Sequence, residues 1–154
     1  MRLIRDRPRS VELDEFLARP LFACLATASE AGPRASPVWF LWEDGAIWII
    51  ANGRTDSFPG RIEREPRCAL AIVDFGVETG LVHHVGLRGR ASVEGFDAER
   101  AQRLLARYLG SDVDAWEARF RDTLHNPENV LVRFEPETVV ARDQSYDVAP
   151  AGGR

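Results

Sequence analysis

A chain of 154 residues with 45% hydrophobic and 29% charged residues has the size and balance of one folded domain with a single core, not of a disordered segment. Its formal net charge of -4 argues against a broad nucleic-acid-binding surface, which needs a basic excess gathered on one face. No apolar stretch has the length of a membrane-spanning helix, and the arginine-rich start is too polar for a signal peptide, so the expectation is a cytoplasmic protein with neither a nucleic-acid nor a membrane partner.

Residues 1–9 carry four arginines and a proline and read as a loose arm. Ser10 is placed to cap a short helix with Leu13, Phe16 and Leu17 on one face, ended by Pro20. Residues 21–28 are apolar and short enough for a buried strand, and residues 29–33 have turn composition. Residues 34–43 read as one strand, buried on both faces near its end. Asp44-Gly45 suits the positive φ of a type I′ turn, so residues 37–51 form an apolar hairpin. A polar loop from Asn52 leads to a short helix over 59–65, entered through Pro59. Residues 68–75 and 85–94 are strands, the second alternating strictly between apolar and polar positions. Asp97 caps a helix that carries Ala101, Leu104, Leu105, Tyr108 and Leu109 and closes at Gly110. Asp112 is placed to cap another, with Val113, Trp116, Phe120 and Leu124 in a stripe. A last strand covers 129–141, and the tail from Pro150 reads as loose. The whole is mainly β with minor α, about six antiparallel strands with short flanking helices, and favours a closed barrel over an open sheet.

Cys24 and Cys68 have no CxxC neighbour, which disfavours a thiolate metal site. They read as reduced core residues, with a disulfide between them left open. Ser36-Pro37-Val38-Trp39 offers peptide groups that a proline keeps out of the ladder, and Trp39, Trp42 and Trp48 offer apolar walls for a flat ring or, equally, ordinary core. Asn52-Gly53-Arg54-Thr55-Asp56-Ser57, with Arg61 beyond, combines forked donors, hydroxyls and a helix start; it reads as a phosphate cradle or as a solvated loop. His83 and His84 point to opposite faces of their strand, which makes them poor ligands for a common metal, and no metal is expected. His84 shares the face of Arg88 and Arg90 and reads as the candidate catalytic donor or acid or, like the other histidines, as an ordinary structural hydrogen-bonding residue.

Taken in order, S-P-V-W-F, an Asp-Gly turn, I-W-I-I-A, the G-R-T-D-S loop and R-I-E-R-E-P-R-C-A-L resemble the pyridoxamine-5′-phosphate-oxidase-like family of FMN-binding split β-barrels. The resemblance implies a homodimer with two cofactor sites at the subunit interface. It places Ser36, Pro37, Val38 and Trp39 beside the isoalloxazine ring, Ile50, Ala51 and Asn52 near the ribityl chain, and Arg54, Thr55, Ser57 and Arg61 at the phosphate. The implied activity is an FMN-dependent oxidoreductase acting on a small molecule other than pyridoxamine phosphate. F420 in place of FMN, and a non-catalytic flavin- or haem-binding module, are the alternatives within the fold. The pattern departs at Phe58-Pro59-Gly60, where members that hold FMN firmly carry Lys or Arg.

Overall fold

The structure, a computed structural model, describes residues 1–7 and 12–149. Its elements are β1 (Arg2–Arg7), α1 (Leu13–Leu17), β2 (Ala23–Ser29), β3 (Gly32–Val38), β4 (Leu41–Glu43), β5 (Ala46–Asn52), α2 (Phe58–Arg64), β6 (Arg67–Gly76), β7 (Leu81–Glu94), α3 (Ala98–Leu109), a 3-10 turn (Val113–Ala115), α4 (Ala118–Thr123) and β8 (Asn129–Asp143). One sheet runs in the order β3-β2-β6-β7-β8-β5-β4, with β1 added to β8. Its two ends are consecutive in the chain, because β3 stops at Val38 and β4 starts at Leu41. The sheet therefore curls until its edges are joined through Trp39-Phe40 rather than through a ladder. This is a split β-barrel.

Several expectations change here. The arm pairs in parallel with β8, Arg2 opposite Thr138 and Arg7 opposite Arg142, which helps raise the expected six strands to eight. Ser10 and the tail from Pro150 lie outside the described residues; α1 has Glu12 at its N-cap and no side-chain cap bond. The single strand expected over 34–43 is two strands on opposite edges of the sheet, since β3 pairs with β2 and β4 with β5. The hairpin proper is β4–β5, turned by Asp44 at φ 55° and Gly45 at φ 70°, while Pro37 lies on edge strand β3, where a proline is tolerated. The second helix expected from Asp112 is interrupted: Asp112 caps only the 3-10 turn, and α4 starts afresh after the buried Trp116.

The hairpin lacks a polar face because it separates two cores. Ile47, Ile49 and Ala51 enter the barrel with Leu25, Phe40, Leu70 and Phe134, while Ala46, Trp48 and Ile50 meet Leu104, Leu105 and Trp116 under α3. Each fully buried side chain of this kind contributes about 1.5–3 kcal/mol. β7 alternates as its sequence requires, Val85, Leu87, Gly89 and Ala91 inward and Arg88, Arg90 and Ser92 outward. Gly89 is needed at the bulge after Arg88, because a Cβ there would lie 2.0 Å from the Glu135 carbonyl oxygen. α3 is capped as expected, the Asp97 carboxylate accepting from the Arg100 N–H and Gly110 closing the helix at φ 91°. Both cysteines are free thiols. Cys68 is buried, and burial pushes its thiol up to about 11; Cys24 is exposed on the outer face of β2, not in the core.

Candidate functional site

The break at Trp39-Phe40 takes two peptide units out of the sheet, and buried peptide groups need other partners. α3 supplies them. The Phe40 N–H donates to the Tyr108 hydroxyl at 3.1 Å, and that hydroxyl donates to the Leu21 carbonyl at 2.8 Å. The Arg107 guanidinium donates to the carbonyls of Phe40, Leu17 (3.1 Å) and Arg19 (2.6 Å). Burial raises the Tyr108 hydroxyl pKa and lowers that of Arg107, and Arg107 stays a cation that closes an otherwise unpaired corner.

This anchoring fixes Trp39. Its indole stacks on Tyr108 (4.4 Å between ring centres, 4° between planes) and on Phe120 of α4 (5.6 Å, 18°), and meets Phe22 edge-on at 6.2 Å. Beside the stack lies an open cleft of about 490 Å³, bounded by Pro37, Val38, Trp39, Ile50 and Phe58 on the barrel side and by Leu104, Leu105 and Phe120 on the helical side. It continues into a polar chamber of about 670 Å³ through the shared residues Ile50, Asp56, Arg119 and Thr123. The combination of an apolar seat with a few polar groups suits a small, largely flat ligand.

The most unusual charge lies one residue from this cleft. Asp56 and Phe58 line it, and between them Ser57 accepts a hydrogen bond from the Arg61 guanidinium at 2.7 Å. Arg61 is only 8% exposed, and its Nε donates to the Thr27 hydroxyl at 2.7 Å. Among the described residues no carboxylate pairs with it. A buried cation with only hydroxyl partners is costly, and an anion would relieve that cost. Arg34, exposed on β3, stands directly opposite Thr27 in the β2–β3 register.

The residues singled out in the sequence fall into separate places. Pro37, Val38, Trp39, Ile50 and Asn52 line the continuous cleft. Ser36 and Ala51 do not; Ala51 points into the barrel core. Ser57 and Arg61 form the pair just described. Arg54 is exposed and pairs with Glu128 at 2.8 Å, and the N–H groups of Arg54 and Thr55 donate to the Asn52 side-chain oxygen. Of the three tryptophans only Trp39 reaches the cleft. Trp42 donates to Asp14 of α1, and Trp48 is buried beneath Arg100, 3.8 Å from ring centre to guanidinium. His84 stands on the outer face of β7 between Val73 and Arg142, away from the cleft. His83 lies with Arg19 (3.3 Å) and Asp143 (3.6 Å). Among the described residues no group of His, Cys, Asp and Glu is arranged to hold a metal. Phe22, Thr27, Tyr108, Phe120 and Asn129 carry no local motif, since contacts between elements distant in the chain bring them to the site.

Fold and site together define a split-β-barrel protein with an aromatic cleft at the split. The family model for pyridoxamine 5′-phosphate oxidase matches residues 10–143, and the chain belongs to that family. Among solved structures it is similar to the conserved hypothetical protein Rv2991 from Mycobacterium tuberculosis (18% identity, 97% of this chain and 99% of that one, TM-score 0.71). It is also similar to a FAD-binding protein from Mesorhizobium loti (19%, 88% and 93%, 0.62) and to an F420 reductase (16%, 86% and 97%, 0.57). At these identities the likeness is one of fold. No curated protein sequence matches the chain significantly.

Proposed function

We propose that the chain is an FMN-dependent oxidoreductase of this family, acting as a homodimer on a small molecule. The observation that carries the reading is Arg61, a buried guanidinium without a carboxylate partner among the described residues, beside an aromatic cleft. The ring of the flavin takes the seat between Pro37–Trp39 and Ile50. Its phosphate takes the Arg61–Ser57 pair, with Arg34 as a second cation. The cationic contact missing at Phe58-Pro59-Gly60 is then supplied by the next residue, from inside the fold. A bound flavin supplies the electron or hydride transfer; this chain's residues seat the ring, neutralise the phosphate and keep water off one face. The structural likeness to an F420 reductase keeps the deazaflavin as the second cofactor to test.

Homodimerisation is supported by the outer face of β2, β3 and β6. Sheet register aligns Ala35, Ala26 and Ala69 in one row and Pro37, Cys24, Ala71 and Gly86 in the next, so the face is flat and made of small residues. Phe22 (62% exposed), Phe75 and Val73 border it, and an exposed apolar patch of this kind marks an interface. Pro37 and Phe22 also line the cleft, so a second copy on this face would wall the cofactor seat. The test is cofactor titration of the full chain with FMN, F420 and hemin. Saturable FMN binding with bleaching by a reduced donor is expected. Failure of both FMN and F420 to bind removes the oxidoreductase reading, and binding without turnover favours a cofactor-binding module.

A further inference from the structure

The outer face of β6 has two unlike ends. Arg67, Ala69, Ala71, Val73 and Phe75 alternate onto that face. Arg67 and Phe75 stand four residues to either side of Ala71, about 13 Å at the rise of a strand. At one end the side chains are large and apolar: Phe75 is 59% exposed, and Val73 and Phe22, just before β2, are exposed beside it. At the other end lies an open depression of about 400 Å³, with Ala28, Pro33 and Ala69 in its floor and Arg67, Arg88 and Glu137 at its rim. The Arg67 guanidinium donates to both Glu65 oxygens, at 2.9 and 2.8 Å. Arg88 and Glu137 have no hydrogen bond or ion pair among the described residues. With Glu65 and Glu137 balancing the two arginines, an apolar group enters the depression without burying an uncompensated ion. Between the two ends runs the row of Pro37, Cys24, Ala71 and Gly86, the flattest part of the face.

A face that meets its own image does so about a two-fold axis in the plane of contact, and that axis lies either along β6 or across it. Along the strand, each level meets itself. Depression then faces depression and Phe75 faces Phe75, which leaves a void at one end and wedges the sheets apart at the other, against the close packing an interface needs. Across the strand at Ala71, each level meets its opposite. Phe75 then faces the level of Arg67, and Val73 that of Ala69, so large groups meet small ones. We propose that two copies of this chain pack about the second axis, each docking its Phe75 in the depression between the partner's Arg67 and the partner's Arg88. The proposal rests on the homodimer reading given above and adds its orientation and its anchor. Guanidinium groups on either side of the ring give a cation–π contact to Arg88, which has no other partner among the described residues.

The test cross-links copies of the full chain without added cofactor. Ala28 lies two residues beyond the Ala26–Ala69 pair, level with Arg67. Ala28→Cys and Phe75→Cys chains, both carrying Cys24→Ser, are treated with a short bis-maleimide, separately and mixed, at concentrations where sedimentation velocity shows dimer. Cys68 is buried and does not report. Only the mixture is expected to give a product, joining positions 28 and 75, because about 26 Å of strand separates each position from its own image. Phe75→Ala in the parent chain should weaken dimerisation by at least about tenfold in Kd, and Phe75→Leu by less. Self-cross-linking of either single variant places the axis along the strand and overturns the inference. So does a dimeric mixture without the 28–75 product, which leaves the depression to another occupant, and so does a Phe75→Ala chain with the parent's Kd. Each of these outcomes leaves the homodimer standing. A parent chain that is monomeric at every concentration removes the homodimer and this docking together.

Discussion

The Trp39 indole and the Tyr108 phenol lie 4.4 Å apart with 4° between their planes, and the same phenol accepts from the Phe40 N–H at the strand break and donates to the Leu21 carbonyl ahead of β2. One residue of α3 therefore both backs Trp39, which lines the cleft, and receives a peptide group freed where the sheet breaks. Tyr108→Phe keeps the ring and removes the hydroxyl. Chemical denaturation should show a loss of about 1–3 kcal/mol, the cost of leaving buried backbone groups unpaired. Tyr108→Ala removes the stack as well and should exceed that loss. Equal stability of the Phe variant and the parent would mean that water replaces the hydroxyl.

Arg61 and Arg54 make contrasting predictions for cofactor binding. Arg61 is buried with hydroxyl partners, whereas the Arg54 side chain is 75% exposed and held by Glu128. Arg61→Gln should weaken FMN by about tenfold or more while leaving riboflavin, which lacks the phosphate, nearly unchanged. Arg54→Ala should change both ligands by no more than about threefold, as an exposed ion pair contributes little. Comparable losses of FMN and riboflavin in Arg61→Gln would place the phosphate elsewhere.

The fold was legible because its local signals agree: the Asp44-Gly45 turn, the alternation of β7 and the Asp97 cap of α3 all appear as read. The point at which the chain crosses between the barrel's two edges was not legible. Residues 37–42 are apolar whether they form one strand or cross between two edges, and only Arg107 and Tyr108, some 70 positions on, settle the matter by receiving the freed peptide groups. The cleft was half legible for the same reason. Pro37–Trp39 and Ile50 share a chain segment, while Phe120 joins them through the packing of α4 on Trp39 and Asn129 through the β5–β8 ladder, where it stands opposite Asn52. Arg54 and Arg61 look alike in sequence; burial alone separates them.

Glu43 predicts an acid limb of stability. The hydrogen bond from Arg103, reinforced by Arg100, outweighs the opposing effect of burial and lowers its pKa from 4.5 to about 2. Because the folded pKa lies below the unfolded one, the stabilisation is complete above about pH 4.5 and is lost as pH falls through about 2. The Glu43 side chain is 24% exposed, so solvent screening reduces the contribution to about 1–2 kcal/mol. Glu43→Gln should cost that amount at pH 7 in urea denaturation, with the difference from the parent shrinking steadily between pH 4.5 and 2. A difference independent of pH over that interval would assign the effect to packing between the hairpin and α3.

Ala71 tests the interface. It is exposed at the centre of the small-residue face, with Cys24 on one side and Gly86 on the other. Ala71→Arg places a long cation where a second copy would offer only alanines, glycine and the Cys24 thiol, with no carboxylate to pair it. Desolvating that charge should weaken dimerisation by at least about 2 kcal/mol, or roughly thirtyfold in Kd, measured by sedimentation velocity across a dilution series. Urea denaturation at concentrations where both proteins are monomeric should leave the variant within about 0.5 kcal/mol of the parent, because the site is a solvated surface in the single chain. If the partner walls the cofactor seat, the monomeric variant should also bind FMN more weakly, and riboflavin by a similar factor, since the ring and not the phosphate loses its cover. An undiminished dimer in Ala71→Arg would move the interface to another face. A monomer with unchanged FMN affinity would leave the interface in place and make each cleft complete within its own chain.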